Sequence, residues 1–239
     1  MLHFLLAESG LEIIPFRFQR HPSVKNQARR KKKNPGELLL DVSLHHTLIS
    51  QLPNGGKRGR PDIVHFCLLS ILGTPLNKAG LLRTYVHTID NHTLFVNPEI
   101  RLPRNYNRFI GLMEQLFKIG QVPPVGTPLL YVKRKSLQQL IKDIEPQMTL
   151  LFSESGVPTT SEALVNKLKK VENIAVIVGG FPHGDFSSQT RKLADLNISI
   201  DVEPLDSWIV AARVISAYEE AVMLTQKRLS KADSSSDKT

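Results

Sequence analysis

Arg101, Arg104 and Arg108, in the stretch RLPRNYNRF, are spaced to act together on an anion. Arg104 and Arg108 lie four apart on an expected helix and so share a face, while Arg101, just before Pro103, can converge on the same region. Guanidinium groups arranged this way suit bidentate contacts to phosphates or base edges, and Tyr106 or Phe109 could add stacking. A solvated helix face usually carries both signs, yet no acidic residue lies between Glu99 and Glu114. Arg60 and Asp62 flank Pro61, close enough for the carboxylate to hold the guanidinium or for both to face one ligand. The same pair also fits an ordinary exposed ion pair.

A different chemistry is suggested by IAVIVGGFPHGDF, which sets Gly179, Gly180 and Gly184 just beyond an expected buried strand. Without side chains there, backbone amides and carbonyls can approach a ligand, and in open α/β sheets the ligand crevice lies at such strand ends. A second strand-end loop, Asp201-Val202-Glu203-Pro204-Leu205-Asp206, precedes a helix, so two loops side by side could form one pocket. Both loops also read as plain turns. Neither GxGxxG nor GxxxxGK[ST] occurs, which argues against a standard dinucleotide fold and a P-loop.

The histidines are scattered, HExxH is absent and one cysteine cannot build a zinc cluster, so no metal is expected. His65 falls on an expected core helix and reads as a structural histidine. No GxSxG elbow appears and Cys67 sits in an apolar run, so hydrolase chemistry loses support and no catalytic acid or base is assigned.

The elements that must position these residues follow from pattern. The chain has 239 residues, 41% of them hydrophobic, enough for one main domain. Leu2 to Ala7 read as a buried strand. Pro61 opens a helix along which Ile63, Val64, Cys67, Leu68, Ile71 and Leu72 recur at helical spacing, placing Lys57, Arg58 and Arg60 at its entrance. Residues 82–89 and 93–97 suggest a hairpin, expected as an insertion over about 82–100. A helix from about Asn105 to Ile119 follows. The second half alternates: strand at 129–132, helix at 137–144, strand at 148–152, helix at 161–171, strand at 174–178, strand at 198–202 and helix at 207–222. Such alternation implies a parallel sheet covered on both faces, an α/β protein.

The formal charge is +9, with 31 Lys and Arg against 22 Asp and Glu, a balance that favours phosphate-rich or anionic partners. Eight cations lie between Glu12 and Glu37 with no acid among them, and without these eight the net charge falls to +1. Residues 15–36 also hold Pro15, Pro22, Pro35 and Gly36 and show no apolar period, so a mobile basic arm or loop is expected, with an RNA role inferred from its charge. The polar stretch 229–239 is expected to be disordered. No apolar run approaches the ~20 residues that span a bilayer, and a lone apolar cysteine fits a reducing cytoplasm, so no membrane association is expected.

The segments RPDIVHFCLLSILGTPLNKAG, NPEIRLPRNYNRFIGLMEQL, VIVGGFPHGDF and PLDSW resemble the small-subunit rRNA pseudouridine N1-methyltransferase family of ribosome biogenesis, over roughly residues 57–222. The resemblance implies a SPOUT-type, mostly parallel sheet with a C-terminal trefoil knot, S-adenosylmethionine as cofactor, and a homodimer. It implies work on small-subunit rRNA, near small-subunit ribosomal proteins, in the cytoplasm or, in a eukaryote, the nucleolus. By the same resemblance Arg60 contacts the RNA with Asp62 holding it, and Arg101, Arg104 and Arg108 are further RNA contacts. Gly179, Gly184, Ile200, Asp201, Val202, Glu203, Pro204 and Leu205 would line the cofactor pocket, with Leu150 beside it and Gly180 in the same loop. Two other readings remain open at this point: an RNA-binding ribosome-assembly factor whose methylation is dispensable, and a SPOUT enzyme acting on tRNA.

Overall fold

The computed structural model describes residues 1–236. Its strands are β1 (Leu2–Ser9), β2 (Leu82–Thr88), β3 (His92–Val96), β4 (Gln121–Val122), β5 (Leu130–Arg134), β6 (Met148–Pro158), β7 (Ile174–Gly179) and β8 (Leu196–Ser199). They form one sheet in the order β4-β5-β3-β2-β1-β7-β6-β8. The run β2-β1-β7-β6-β8 is parallel throughout, and β3, β5 and β4 continue it antiparallel. β1 is almost wholly buried because it has neighbours on both edges and side chains packed on both faces, the usual setting of a strand inside a parallel sheet.

The helices are α1 (Pro22–Lys31), α2 (Val42–Ile49), α3 (Pro61–Leu72), α4 (Pro75–Lys78), α5 (Tyr106–Ile119), α6 (Leu137–Ile144), α7 (Ser161–Leu168), α8 (Ser188–Arg191), α9 (Ser207–Ala221) and α10 (Leu224–Ser236). Side chains alternate across each strand, so Leu2, Phe4, Leu6, Val86, Leu94 and Val176 enter the main core, where residues of α3, α5, α7 and α9 meet them. On the opposite face Leu5, Ala7, Leu151, Ala175 and Ile177 pack under Leu137 and Leu140 of α6. Helix α6 starts where expected because Ser136 and Gln139 form a reciprocal capping box.

Three expectations change. Residues 15–36 are not a loop: α1 occupies their centre, with Val24 and Ala28 buried against Ile14, Leu38, Leu40 and Leu48 in a third cluster. Pro22 lies in the first turn of that helix, where its missing N–H costs nothing, and the His21 side chain caps Ser23. The hairpin is not an appendage, since β2 pairs in parallel with β1 and carries β3 into the same sheet. Helix α10 continues through Ser236, across most of the tail expected to lack structure, and residues 237–239 lie outside the described range.

Candidate active site

The chain passes from β6 to β7 toward β1, then crosses back over β6 to reach β8. Connections leaving neighbouring strands in opposite directions open a crevice at the carboxyl ends of those strands. A cavity of about 720 Å³ lies there, lined by the segments after β7 and β8, the middle of β6, and the first turns of α3 and α9. Its size falls in the range of small-molecule sites.

Of the expected cofactor residues, Gly179, Gly184, Ile200, Asp201, Glu203, Pro204 and Leu205 line this cavity. Gly184 has φ +88°, a left-handed conformation that suits glycine, and it lets the loop turn back over the strand ends. Three residues do not line it. Gly180 faces β1 instead: a Cβ there would meet Ser9 Oγ at 2.1 Å, while its N–H donates to the Ala7 carbonyl and its own carbonyl accepts from Gly10 N–H. Leu150 is fully buried in the main core, and Phe152, two residues further along β6, reaches the cavity in its place. Val202 is 99% exposed and points to solvent.

The cavity also has lining residues that sequence pattern did not single out. The pairing of β6 with β8 shifts register between Phe152 and Val157, and Ser153, Glu154 and Ser155 bulge over the opening. Gly156 permits this, since a Cβ there would lie 2.3 Å from the backbone of Ile198. The FPHGDF turn adds Phe181, His183, Asp185 and Phe186, and α9 adds Ser207, whose hydroxyl donates to the Gly179 carbonyl at 2.5 Å, and Trp208. The glycines advertised this turn in the sequence; the bulge left no local signal beyond Gly156.

Lys57 ties the turn to the arginine-bearing segment. Its ammonium donates to Glu8 Oε2 at 2.6 Å and to the Asp185 carbonyl at 2.5 Å, and it lies 4.2 Å from the centre of the Phe181 ring. Glu8, at the end of β1, accepts from Ser187 N–H through its other oxygen. Burial works to raise the Glu8 pKa, but the bonds from Lys57 and Ser187 outweigh it and hold the carboxyl below its ordinary range. Three residues on, the Arg60 N–H donates to the Gly10 carbonyl, so residues 57–60 are laid against the carboxyl end of β1.

Arg60 then enters the cavity wall from the N-terminus of α3. Asp62 grips it bidentately, with Nε and Nη2 donating to its two carboxylate oxygens at 2.8 and 2.7 Å. This grip is the first cause of the raised Arg60 pKa, and the negative charge of Asp41 acts in the same direction. The segment carrying the other arginines is fixed nearby. His65 Nε2 donates to the Pro103 carbonyl at 2.7 Å and its ring stacks on Phe109, which makes it the structural histidine expected. The Tyr106 hydroxyl donates to Asp41 at 2.7 Å; burial and this bond push its pKa up. Arg101, Arg104 and Arg108 are exposed outside the cavity lining, and none of them enters an ion pair among the described residues.

A parallel sheet with a deep crevice at its carboxyl ends, walled by glycine turns and one clamped arginine, defines an α/β enzyme that binds a small-molecule cofactor beside an anionic partner. The family model for EMG1/NEP1 methyltransferase matches residues 4–219, and the chain belongs to that family. A ribosomal RNA small subunit methyltransferase Nep1 of Thermococcus kodakarensis is 46% identical over 224 residues, covering 94% of this chain and all of the relative. One from Staphylothermus marinus is 47% identical over 219 residues, covering 91% of this chain and 95% of the relative. The crystal structure of Archaeoglobus fulgidus Nep1 bound to S-adenosylhomocysteine superposes with a TM-score of 0.83 at 38% identity, covering 92% of this chain and 98% of the other.

Proposed function

We propose that this protein transfers a methyl group from S-adenosylmethionine to N1 of a pseudouridine in small-subunit rRNA during ribosome biogenesis. The observation that carries the reading is that glycine turns and the Arg60–Asp62 clamp meet at one cavity. The relatives named above are small-subunit rRNA methyltransferases, and one family structure holds the demethylated cofactor.

The cavity suits that cofactor. Apolar Phe152, Ile200 and Leu205 fit a flat adenine, and open backbone at Gly184 allows close approach. The carboxylates of Glu154, Glu203 and Asp206, none in an ion pair among the described residues, favour a cationic ligand, whereas Asp185 and Asp201 are paired with Arg191 and Arg213. When bound, S-adenosylmethionine supplies an electrophilic methyl group. What the chain contributes is position. Arg60, held by Asp62, fixes a phosphate or base edge at the cavity rim, while Arg101, Arg104 and Arg108 hold the adjoining backbone. Pseudouridine is joined to ribose through carbon, so its N1 carries a free N–H, whereas in uridine that atom is bonded to the sugar. Reaction therefore needs the base splayed into the cavity and the N1 proton lost, more than it needs a metal or a covalent nucleophile.

Phe66 of α3 is 51% exposed and packs on Trp208 of α9 at 5.3 Å, and Ile209 is exposed beside it. An aromatic patch bordering the cavity supports a homodimer formed through α3 and α9. A trefoil knot in the second half is supported by the β7 to β8 crossover over β6 and by the Ser207 bond to Gly179. Small-subunit ribosomal proteins are neighbours expected at the site of work, in the cytoplasm or a eukaryotic nucleolus.

The test is transfer of labelled methyl to two matched small-subunit rRNA hairpins, one with pseudouridine and one with uridine at the same loop position. Transfer to the pseudouridine hairpin alone is expected, and it should vanish in Arg101→Ala/Arg104→Ala while S-adenosylhomocysteine binding persists. Transfer to neither hairpin, despite tight RNA binding, would favour the assembly-factor reading or a different RNA target.

A further inference from the structure

Helix α1 carries charge for which neither the cavity nor the fold has a use. Its inner face is accounted for: Val24 and Ala28 are buried, and the His45 imidazole lies 2.9 Å from the Gln27 side chain, tying α1 to α2. Lys31 and Lys33 are accounted for too, reaching the buried Glu114 of α5 at 3.0 and 2.6 Å. Arg20, Lys25, Arg29, Arg30 and Lys32 are exposed, and none of the five enters an ion pair among the described residues. Lys25 and Arg29 are four apart, a like-charge pairing that disfavours a helix standing alone. The fold nevertheless holds this row in place, with its cations gathered at the C-terminal turn where the helix dipole favours them.

The row adjoins the arginine segment. Glu114, which anchors the end of α1, lies six residues along α5 from Arg108, about 9 Å at 1.5 Å per residue. That is roughly three nucleotides of helical rise at 3.4 Å per nucleotide. The exposed side of α1 offers no aromatic, Leu, Ile, Val or Met side chain, so it lacks the apolar anchors on which protein interfaces depend. Cations without base-reading or apolar groups fit a sugar–phosphate backbone and carry no sequence preference.

We propose that the exposed face of α1 is a second RNA-contact surface, which grips the backbone of the stem next to the target loop. The inference rests on the RNA substrate proposed above and extends it beyond the arginine segment. Because the helix is already docked, the RNA pays no ordering cost to use it, as it would with a mobile arm.

The experiment compares two labelled hairpins with the same pseudouridine loop, one with a short stem and one longer by a helical turn. Binding to the full protein loaded with S-adenosylhomocysteine is followed by fluorescence anisotropy over a salt series. The variant is Lys25→Gln/Arg29→Gln/Arg30→Gln/Lys32→Gln, which keeps helix propensity and the Glu114 anchors. A control removes Lys142, Lys169 and Lys170 on the other half of the molecule. The long hairpin should show a log–log salt slope shallower by about 3 in the variant, so that wild type loses ~60-fold more affinity between about 50 and 200 mM salt. The short hairpin and the control should change little, and methyl transfer at saturating RNA should persist. An unchanged slope on the long hairpin, or an equal loss in the control, overturns the proposal. If wild type binds neither hairpin, the RNA-methylation reading itself fails, a result distinct from either.

Discussion

Replacing Lys57 by Met removes one side chain that joins three parts of the site. The Lys57 and Glu8 side chains are only 15% and 9% exposed, and the ammonium also holds the Asp185 carbonyl. Without the lysine, Glu8 stays buried with only neutral donors, the Ser187 N–H and the Ser187 and Thr190 hydroxyls, beside it. Breaking a buried pair by removing one member costs about 3–5 kcal/mol, and the residual solvent contact here argues for the lower end. For a chain of this size about 3 kcal/mol lowers Tm by roughly 6–12 °C. Should all of that energy hold the 181–187 turn in its binding form, cofactor affinity falls by at most ~150-fold. Thermal melts measure the first quantity and calorimetric titration with S-adenosylhomocysteine the second. Adding Glu8→Gln to Lys57→Met should recover much of the lost stability, because the stranded charge is then gone. The Glu8 pKa is depressed in the fold, so its stabilising contribution is present above the ordinary carboxylate range and is lost as pH falls through the folded value. Lys57→Met should therefore also flatten the acid limb of stability. A Tm within about 2 °C of wild type together with unchanged affinity would refute the lock.

Three further outcomes follow from particular contacts. Glu12 is pushed up to about 7 by burial, against the pull of Arg58 and with help from Asp90, so the fold favours its protonated form. Each pH unit from the unfolded carboxyl value up to about 7 then costs about 1.4 kcal/mol of stability, and urea melts should show that decline in wild type but not in Glu12→Gln. Gly180→Ala drives a Cβ into Ser9, so stability should drop by about 1–3 kcal/mol; a smaller loss in denaturant melts would mean that β1 can shift. Asp62→Asn removes the charge that clamps a part-exposed Arg60, so Tm should move little while RNA methylation drops about 10–100-fold and S-adenosylhomocysteine affinity holds; equal losses in both would place Asp62 in the cofactor site.

Much of the second half was legible because its signals are local. Alternating apolar strands and capped helices predict the spans of β7, α6 and α9 nearly to the residue, and RLPRNYNRF marks its arginines by composition alone. Helix α1 was missed for an equally physical reason. Only Val24 and Ala28 on it are buried, too few to show a period, and Pro22 reads as a breaker until its place in the first turn is known. Leu150 and Phe152 have the same chemistry and lie two apart on one face, so pattern could not say which of them reaches the cavity.

The sequence by itself determined the α/β class, the two strand-end turns, the arginine groups and the excess of positive charge. Tertiary structure alone decided that Gly179 faces the cavity while Gly180 faces Ser9, that β6 bulges over the opening, and that the basic segment is a docked helix. It also decided that Lys57 reaches Glu8 and Asp185, across 49 and 128 residues of chain. Local patterns record what a residue's near neighbours along the chain require, whereas a buried ion pair or a backbone contact depends on which distant strand the sheet order sets beside it.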